Sequence, residues 1–374
     1  MTKKMCPAPW TTIDTIMDGS FAPCCHIDHK DRYYGKLKDY KESHYLNGIK
    51  RSLELGQLPA ICHYCRKIEE NDKESPRHDF QKTQTKSKDW SRINLRISNI
   101  CDLSCRTCNA FTSSSWYDDA IKFGQKPPQK VISLNGSSIL EEIFEQIETT
   151  EMLYLSGGEP ALDPNFKKIL SHFLKNTNPD KNLSIQNNGN TLHLLKYRTE
   201  LEKIKNLDIS FSIDGLYERG EFIRNGLVFS DFEQNVHTII DSLPQANISF
   251  VITLSLYNVL HVTEVIEYCL SQFSNRTIEI SFNFLDTPLL LSPQILSHTK
   301  KTDVLKHYNE YYLSLSQEQQ HSVGNYFDRA AAELMKECDE DKIFDFVSYT
   351  KALDRIRNQS TFDVFPELRK LIKG

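Results

Sequence analysis

The sequence predicts an α/β protein assembled from parallel βαβ units, and three features carry that expectation. Six short strand-like segments between residues 93 and 284 alternate with helical stretches, the pattern of strands joined by crossover helices. Residues 1–75 are loop-rich and hold five of the chain's ten cysteines. From about Ser292 onward only helical periodicity remains. The expected division is therefore a small N-terminal module over 1–75, a linker over 76–92, the βαβ region over 93–290 and a helical C-terminal extension over 291–374.

In order, the strands are expected at Ile93–Ser98, Met152–Ser156, Leu183–Asn187, Leu207–Ile213, Ile248–Ser255 and Ile278–Phe284. Helical spacing fills Phe166–Lys175, Leu192–Lys205, Phe232–Ser242 and Val259–Phe273 between them. Six strands are two short of a full eight-stranded barrel, so the units either close partly into a barrel or form an open sheet. Fully buried parallel strands usually read as continuous apolar runs, whereas these alternate. Asn94, Arg96 and Ser98 share one face and Ile93, Leu95 and Ile97 the other; Ser210, Ser212 and Asp214 oppose Ile209, Phe211 and Ile213 in the same way. With helices outside, the polar faces turn inward and line a substrate cavity. An antiparallel sheet with one wet face is the alternative that gives the same alternation.

Within the N-terminal segment, short strands over Thr12–Ile16 and Phe21–Cys24 flank an Asp18-Gly19 turn signal. The stretch from Glu69 to Lys88 is polar, and its cations Lys73, Arg77, Lys82, Lys86 and Lys88 are expected on a solvated surface. At the other end, Tyr308, Tyr311, Tyr312, Tyr326 and Phe327 are expected to pack a core.

Bulk properties exclude more than they assign. The chain has 374 residues, 39% of them hydrophobic, and a net charge of −5, which speaks against a general nucleic-acid binder. No apolar run approaches the roughly 20 residues that cross a bilayer. Met1-Thr2-Lys3-Lys4 is followed by no apolar stretch, so a signal peptide is not expected and the cytoplasm is the expected compartment.

The cysteines are more informative. Eight of the ten lie at positions 6, 24, 25, 62, 65, 101, 105 and 108. In a reducing compartment such clustering points to metal rather than cross-links. Cys101, Cys105 and Cys108 directly follow the first strand of the βαβ region, where barrel active sites gather. Three soft thiolates from one tight loop, with no fourth nearby, suit an iron–sulfur cluster with one iron left open. The second strand runs into Gly157-Gly158-Glu159-Pro160, whose glycines let backbone approach a ligand and whose carboxylate can meet an ammonium.

Taken together, these residues resemble the radical S-adenosylmethionine (SAM) superfamily: Cys101, Cys105 and Cys108 in its four-three spacing, then Gly157-Gly158-Glu159-Pro160 on the next strand. The likeness continues with Asn188-Gly189, Ser212-Ile213-Asp214-Gly215 and Ile223-Arg224, and spans about residues 90–290. It implies a partial (β/α)6 barrel of TIM type and a [4Fe–4S] cluster on the three cysteines. SAM would chelate the open iron, with Gly157, Gly158 and Glu159 at its amine and Asn188, Ser212, Asp214 and Arg224 toward its carboxylate and ribose. It also implies reductive cleavage of SAM and hydrogen abstraction from a substrate, supported by a reductant such as flavodoxin or ferredoxin.

Cys6, Cys24-Cys25 and Cys62-His63-Tyr64-Cys65 resemble the auxiliary-cluster modules called SPASM and twitch, with Gly35-Lys36-Leu37 and a helix over Ser43–Arg51 in the stretch before the last pair. Such modules usually follow the barrel; here the segment precedes it. The expected ligands of a second [4Fe–4S] cluster are Cys6, Cys24, Cys62 and Cys65, with Cys25 the alternative to Cys24 and a closed structural zinc the alternative metal. Cys269 and Cys338 are expected to be core or surface thiols, and His26 and His63 bystanders. Tyr64, Tyr257, Glu279, Asn283 and Asp286 are weak candidates for facing substrate, with Glu279 and Asp286 the candidate acid–base groups. A peptide, a protein side chain or a polar small molecule is the expected substrate. The competing function is a zinc- or cluster-binding module without catalysis.

Overall fold

The computed structural model describes residues 5–70, 75–83, 90–285, 288–336 and 341–372. Asp286, Cys338, Lys73, Lys86 and Lys88, singled out in the sequence, lie outside the described residues. Contacts group the chain into two compact units, one of residues 1–100, 131–186 and 197–207, the other of 101–130, 187–196 and 208–374.

In the first unit the strands are β1 (Thr12–Thr15), β2 (Ser20–Ala22), β3 (Tyr33–Tyr34), β4 (Arg92–Arg96), β5 (Met152–Ser156) and β6 (Asn182–Asn187). β4, β5 and β6 pair in parallel, with Asn94 opposite Tyr154 and Tyr154 opposite Ser184. Ile93, Leu95, Leu153, Leu155, Leu183 and Ile185 are buried on one face. Helices Ser138–Ile147 and Phe166–Lys175 bring Leu140, Ile143, Phe144, Ile147, Phe166, Ile169, Leu170 and Phe173 into the same core. Each such side chain contributes about 1.5–3 kcal/mol by leaving water. The first of these helices begins at Ser137, whose hydroxyl accepts from the Leu140 N–H at 3.2 Å.

β1 pairs in parallel with β4, Thr12 beside Arg92 through Thr15 beside Leu95, and β2 and β3 follow antiparallel. The N-terminal strands thus extend the sheet that β4 belongs to, a pairing the local pattern did not announce. The helix read over Ser43–Arg51 runs from His44 to Glu54, with Ser43 as its cap accepting from the Leu46 N–H at 3.1 Å.

The second unit holds most of β7 (Asn206–Ser212), with β8 (Asn247–Leu254) and β9 (Ile278–Phe284), again parallel. The parallel register in both units removes the antiparallel alternative. Among the described residues β3 pairs only with β2 and β9 only with β8, so the strands do not close into a full barrel. Helices Phe229–Ser242 and Val262–Gln272 cover the apolar faces of β7 and β8. The stretch read as one helix over Leu192–Lys205 is a 3-10 turn at His193–Tyr197 followed by a short helix, Arg198–Leu201.

The C-terminal extension is helical, with His298–Ser314, Gln317–Val323, Tyr326–Leu334 and Lys342–Arg357 its main helices. Phe327 packs against Tyr308, Tyr311 and Tyr312, and the buried Tyr308 hydroxyl donates to the Val259 carbonyl at 2.5 Å. Among the described residues no helix is long and apolar enough to cross a membrane.

Candidate functional site

The loop from Cys101 to Cys108 has little regular structure, so its shape depends on where its backbone groups find partners. Several are held by the surrounding unit. The Cys101 carbonyl accepts from the Ser115 hydroxyl at 2.7 Å, the Leu103 carbonyl from Ser113 at 2.6 Å, and the Cys105 carbonyl from the Trp116 indole at 2.6 Å. The Ser104 and Arg106 N–H groups donate to the Asn225 and Ile223 carbonyls at 2.9 and 2.7 Å. The loop is thereby fixed by its backbone.

Two long-range cations complete the frame. Arg106, fully buried between two of the cysteines, donates to Asp354 at 2.6 Å and Gln359 at 2.8 Å and lies 3.7 Å from the Phe222 ring centroid. Arg357 donates to the Ser104 carbonyl at 2.7 Å and to Asp119 at 2.8 Å. The end of the Lys342–Arg357 helix and the residues just after it thus supply the partners of Arg106, and Arg357 itself. Sequence reasoning missed this buttress, since its only local signal was a charged helix end.

Arg224 is buried and donates to Asp214 at 3.0 Å, while Asp214 also accepts from the Thr253 N–H at 2.7 Å. A hydrogen bond with Cys108, helped by the charges of Arg224 and Arg357, holds the Cys105 thiol below its ordinary value against burial. Its partner in that bond, Cys108, is pushed up. Asn188 donates to Asp102 at 2.6 Å and lies 3.9 Å from the Cys101 sulfur; Asn190 holds the other Asp102 oxygen at 2.9 Å. Ser212 ends β7, half-buried. Glu279 and Asn283 are exposed on β9, and Tyr257 is buried with its hydroxyl on Thr350 at 3.0 Å.

In the first unit, Gly157 has φ +94°, and a side chain on Gly158 would place its Cβ 2.1 Å from the Ile100 carbonyl oxygen. The Glu159 N–H donates to that same carbonyl at 2.7 Å. Its buried carboxylate accepts from the Ala161 N–H at 3.3 Å, capping the turn Pro160–Leu162. The glycine pair therefore serves a backbone-to-backbone approach at the two residues that lead into Cys101.

The N-terminal cysteines sort themselves by direction. Cys6 lies in the field of Cys62 and Cys65, and Cys24 in that of Cys6 and Cys62. Burial first, and then their mutual repulsion, push Cys6 up to about 12 and Cys62 up to about 11. Burial first, and then the charge of Asp14, push Cys25 up to about 11 against the opposing charges of Arg96 and Arg92. Arg77 is not the solvated cation expected: its side chain is 3% exposed, bonds Glu69 at 2.8 Å and lowers the thiols of Cys6, Cys62 and Cys65. Lys82 is exposed, as read. His26 stacks on Tyr64 at 4.6 Å. Among the described residues no three His, Cys, Asp or Glu side chains stand close enough to hold one metal ion. Each cysteine set is a donor set of soft thiols next to a buried arginine, which fits an iron–sulfur cluster in its chemistry.

Residues 95–269 match the Radical SAM superfamily, from the third residue after Arg92 to Cys269. The chain is similar to that superfamily over this segment. It is similar to solved structures of anSMEcpe with bound AdoMet (17% identity, TM-score 0.42, covering 59% of this chain and 59% of that chain). It is also similar to Streptococcus suis SuiB bound to precursor peptide SuiA (11% identity, TM-score 0.38, 87% of this chain and 64% of that one). No curated protein sequence matches the chain.

Proposed function

We propose that this chain is a radical SAM enzyme that abstracts hydrogen from a peptide, a protein side chain or a polar small molecule, with a second, auxiliary cluster beside the domain. The observation that carries the reading is the loop of Cys101, Cys105 and Cys108, anchored by its backbone directly after β4 inside the matched segment. Those three cysteines would hold a [4Fe–4S] cluster, which when bound would supply one-electron reduction of SAM.

The chain's own residues do the positioning. Arg106 and Arg357 fix the loop, and Arg224 sets a buried positive charge beside Cys105. The tight approach at Gly158 and Glu159 gives the SAM amine a backbone-lined seat, and Asn188 beside Cys101 is placed for the nucleotide. Cys6, Cys24, Cys62 and Cys65 would hold the auxiliary cluster, which would serve electron transfer or substrate binding. A flavodoxin or ferredoxin is the expected electron donor.

The test is anaerobic reconstitution with iron and sulfide, then chromatography for 5′-deoxyadenosine after adding dithionite and SAM. Deoxyadenosine formation supports the reading; neither deoxyadenosine nor SAM binding overturns it.

A further inference from the structure

We propose that Asp102 is a positioning residue: its carboxylate clasps the loop after β6 to the cysteine loop and holds an N–H of Asn188 toward the Cys101 sulfur. The clasp lies within the second unit and stands on its own geometry. Only its consequence for a cluster rests on the radical SAM reading above.

The groups stand 86 and 88 positions apart in the chain, and the fold brings them together. Asn188 Nδ2 donates to Asp102 Oδ1 at 2.6 Å, and Asn190 Nδ2 donates to Asp102 Oδ2 at 2.9 Å. Among the described residues no ion pair involves Asp102, so two neutral amides serve this half-buried carboxylate. The residue type matters. A carboxylate offers one acceptor oxygen to each amide, whereas an Asn there would turn its own NH2 against one of them.

The loop that carries the amides is shaped by its own bonds. The Gly189 N–H donates to Asn187 Oδ1 at 2.8 Å and the Asn190 N–H to Asn188 Oδ1 at 2.9 Å. From the Phe229–Ser242 helix, Asn235 Nδ2 donates to the Gly189 and Asn190 carbonyls at 3.2 and 3.0 Å. Gly189 has φ +72°, and a Cβ there would run into the Phe232 ring.

A primary amide carries two N–H groups. Asn188 gives one to Asp102, and the same nitrogen lies 3.9 Å from the Cys101 sulfur, the outer reach of a hydrogen bond to so large an atom. Asp102 Oδ1 stands 4.0 Å from that sulfur, so the three groups share one corner. Among the described residues Asn190 bonds no cysteine sulfur; it grips the carboxylate from the other side. A donor at a ligating sulfur stabilises the added electron of a reduced cluster, and the carboxylate keeps this donor from turning away. Asn188 serves the cysteine loop in this way besides any contact with the nucleotide.

Two measurements test the proposal. In the apoprotein, urea midpoints of D102A, N188A and the double variant read the clasp. The double loss should be smaller than the sum of the single losses, because both substitutions remove the same contact. Additive losses overturn the clasp. After anaerobic reconstitution, electron paramagnetic resonance follows the one-electron midpoint of the cluster, without SAM and in the C24S background so that a single cluster is read. N188A should shift it to more negative potential, about tenfold in the reduced-to-oxidised ratio, or about 59 mV. N190A breaks the other half of the clasp and should lower the urea midpoint while leaving the cluster midpoint in place. A purely structural role would move both variants alike. N188Q keeps an amide donor and should recover part of the shift, and it carries the test where N188A loses its cluster. The potential is not read on D102A, since removing that negative charge raises it by another route. An N188A midpoint equal to that of the C24S parent, or equal shifts in N188A and N190A, overturns the proposal. A cluster whose potential follows the expected order but whose spectrum ignores SAM overturns the radical SAM reading alone.

Discussion

Arg357, near the end of the chain, donates through Nη2 to the backbone carbonyl of Ser104 at 2.7 Å, one residue before Cys105. The same guanidinium bonds Asp119 and lies 4.9 Å from the Trp116 ring centroid, and that indole donates to the Cys105 carbonyl. A helix outside the family-matched segment thus holds the loop that carries the three cysteines.

Replacing Arg357 with Met leaves Asp119 buried without its cation and frees the Ser104 carbonyl. The expected loss is about 3 kcal/mol of folding stability. Urea denaturation of the apoprotein reads it, and iron bound per chain after reconstitution should fall in parallel. An unchanged midpoint would show that the contact carries no weight.

Cys24 and Cys25 separate in one experiment. C24S should lower iron by about four per chain, one cluster's worth. C25S should keep the wild-type iron content and ultraviolet–visible spectrum. Loss of iron in C25S alone would reverse the assignment of the two neighbours.

Gly158 tolerates no side chain. G158A forces a Cβ onto the Ile100 carbonyl at 2.1 Å, and since both atoms are backbone-fixed one strand end must move. A stability loss of at least about 2 kcal/mol is expected, read by thermal unfolding. SAM affinity, measured by equilibrium dialysis, should fall with it.

Asp18 makes a pH prediction. Burial pushes its carboxyl up, but hydrogen bonds from Ser20, Tyr34 and His29 outweigh that and hold it below its usual 3.8. A depressed folded value stabilises the protein above the unfolded value, and that contribution is lost as pH falls through the folded one. D18N should therefore be less stable than wild type at neutral pH, with the gap constant down to about pH 4 and closing below it. A gap that does not change with pH, in urea midpoints, would assign the effect to packing instead.

The strands were legible because alternation is a local signal. Met152–Ser156 and Ile278–Phe284 fall where period-two burial places them, and Phe166–Lys175 where helical spacing does. The boundary at Leu192 was not legible: the apolar spacing suits a helix, yet His193–Tyr197 winds more tightly before Arg198. Arg77 read as surface because a polar stretch carries no mark of the glutamate eight residues earlier that buries it.

By itself the sequence determined the order of strands and helices, the cysteine triplet with its glycine partner segment, and a family of chemistry, because spacing along the chain fixes which side chains share a loop or a face. Only the tertiary structure decided that β1 joins β4 and that Arg357 returns over 253 positions to grip Ser104. Those contacts depend on how apolar faces bury one another across the chain, and that packing is settled by the whole fold rather than by any window of it.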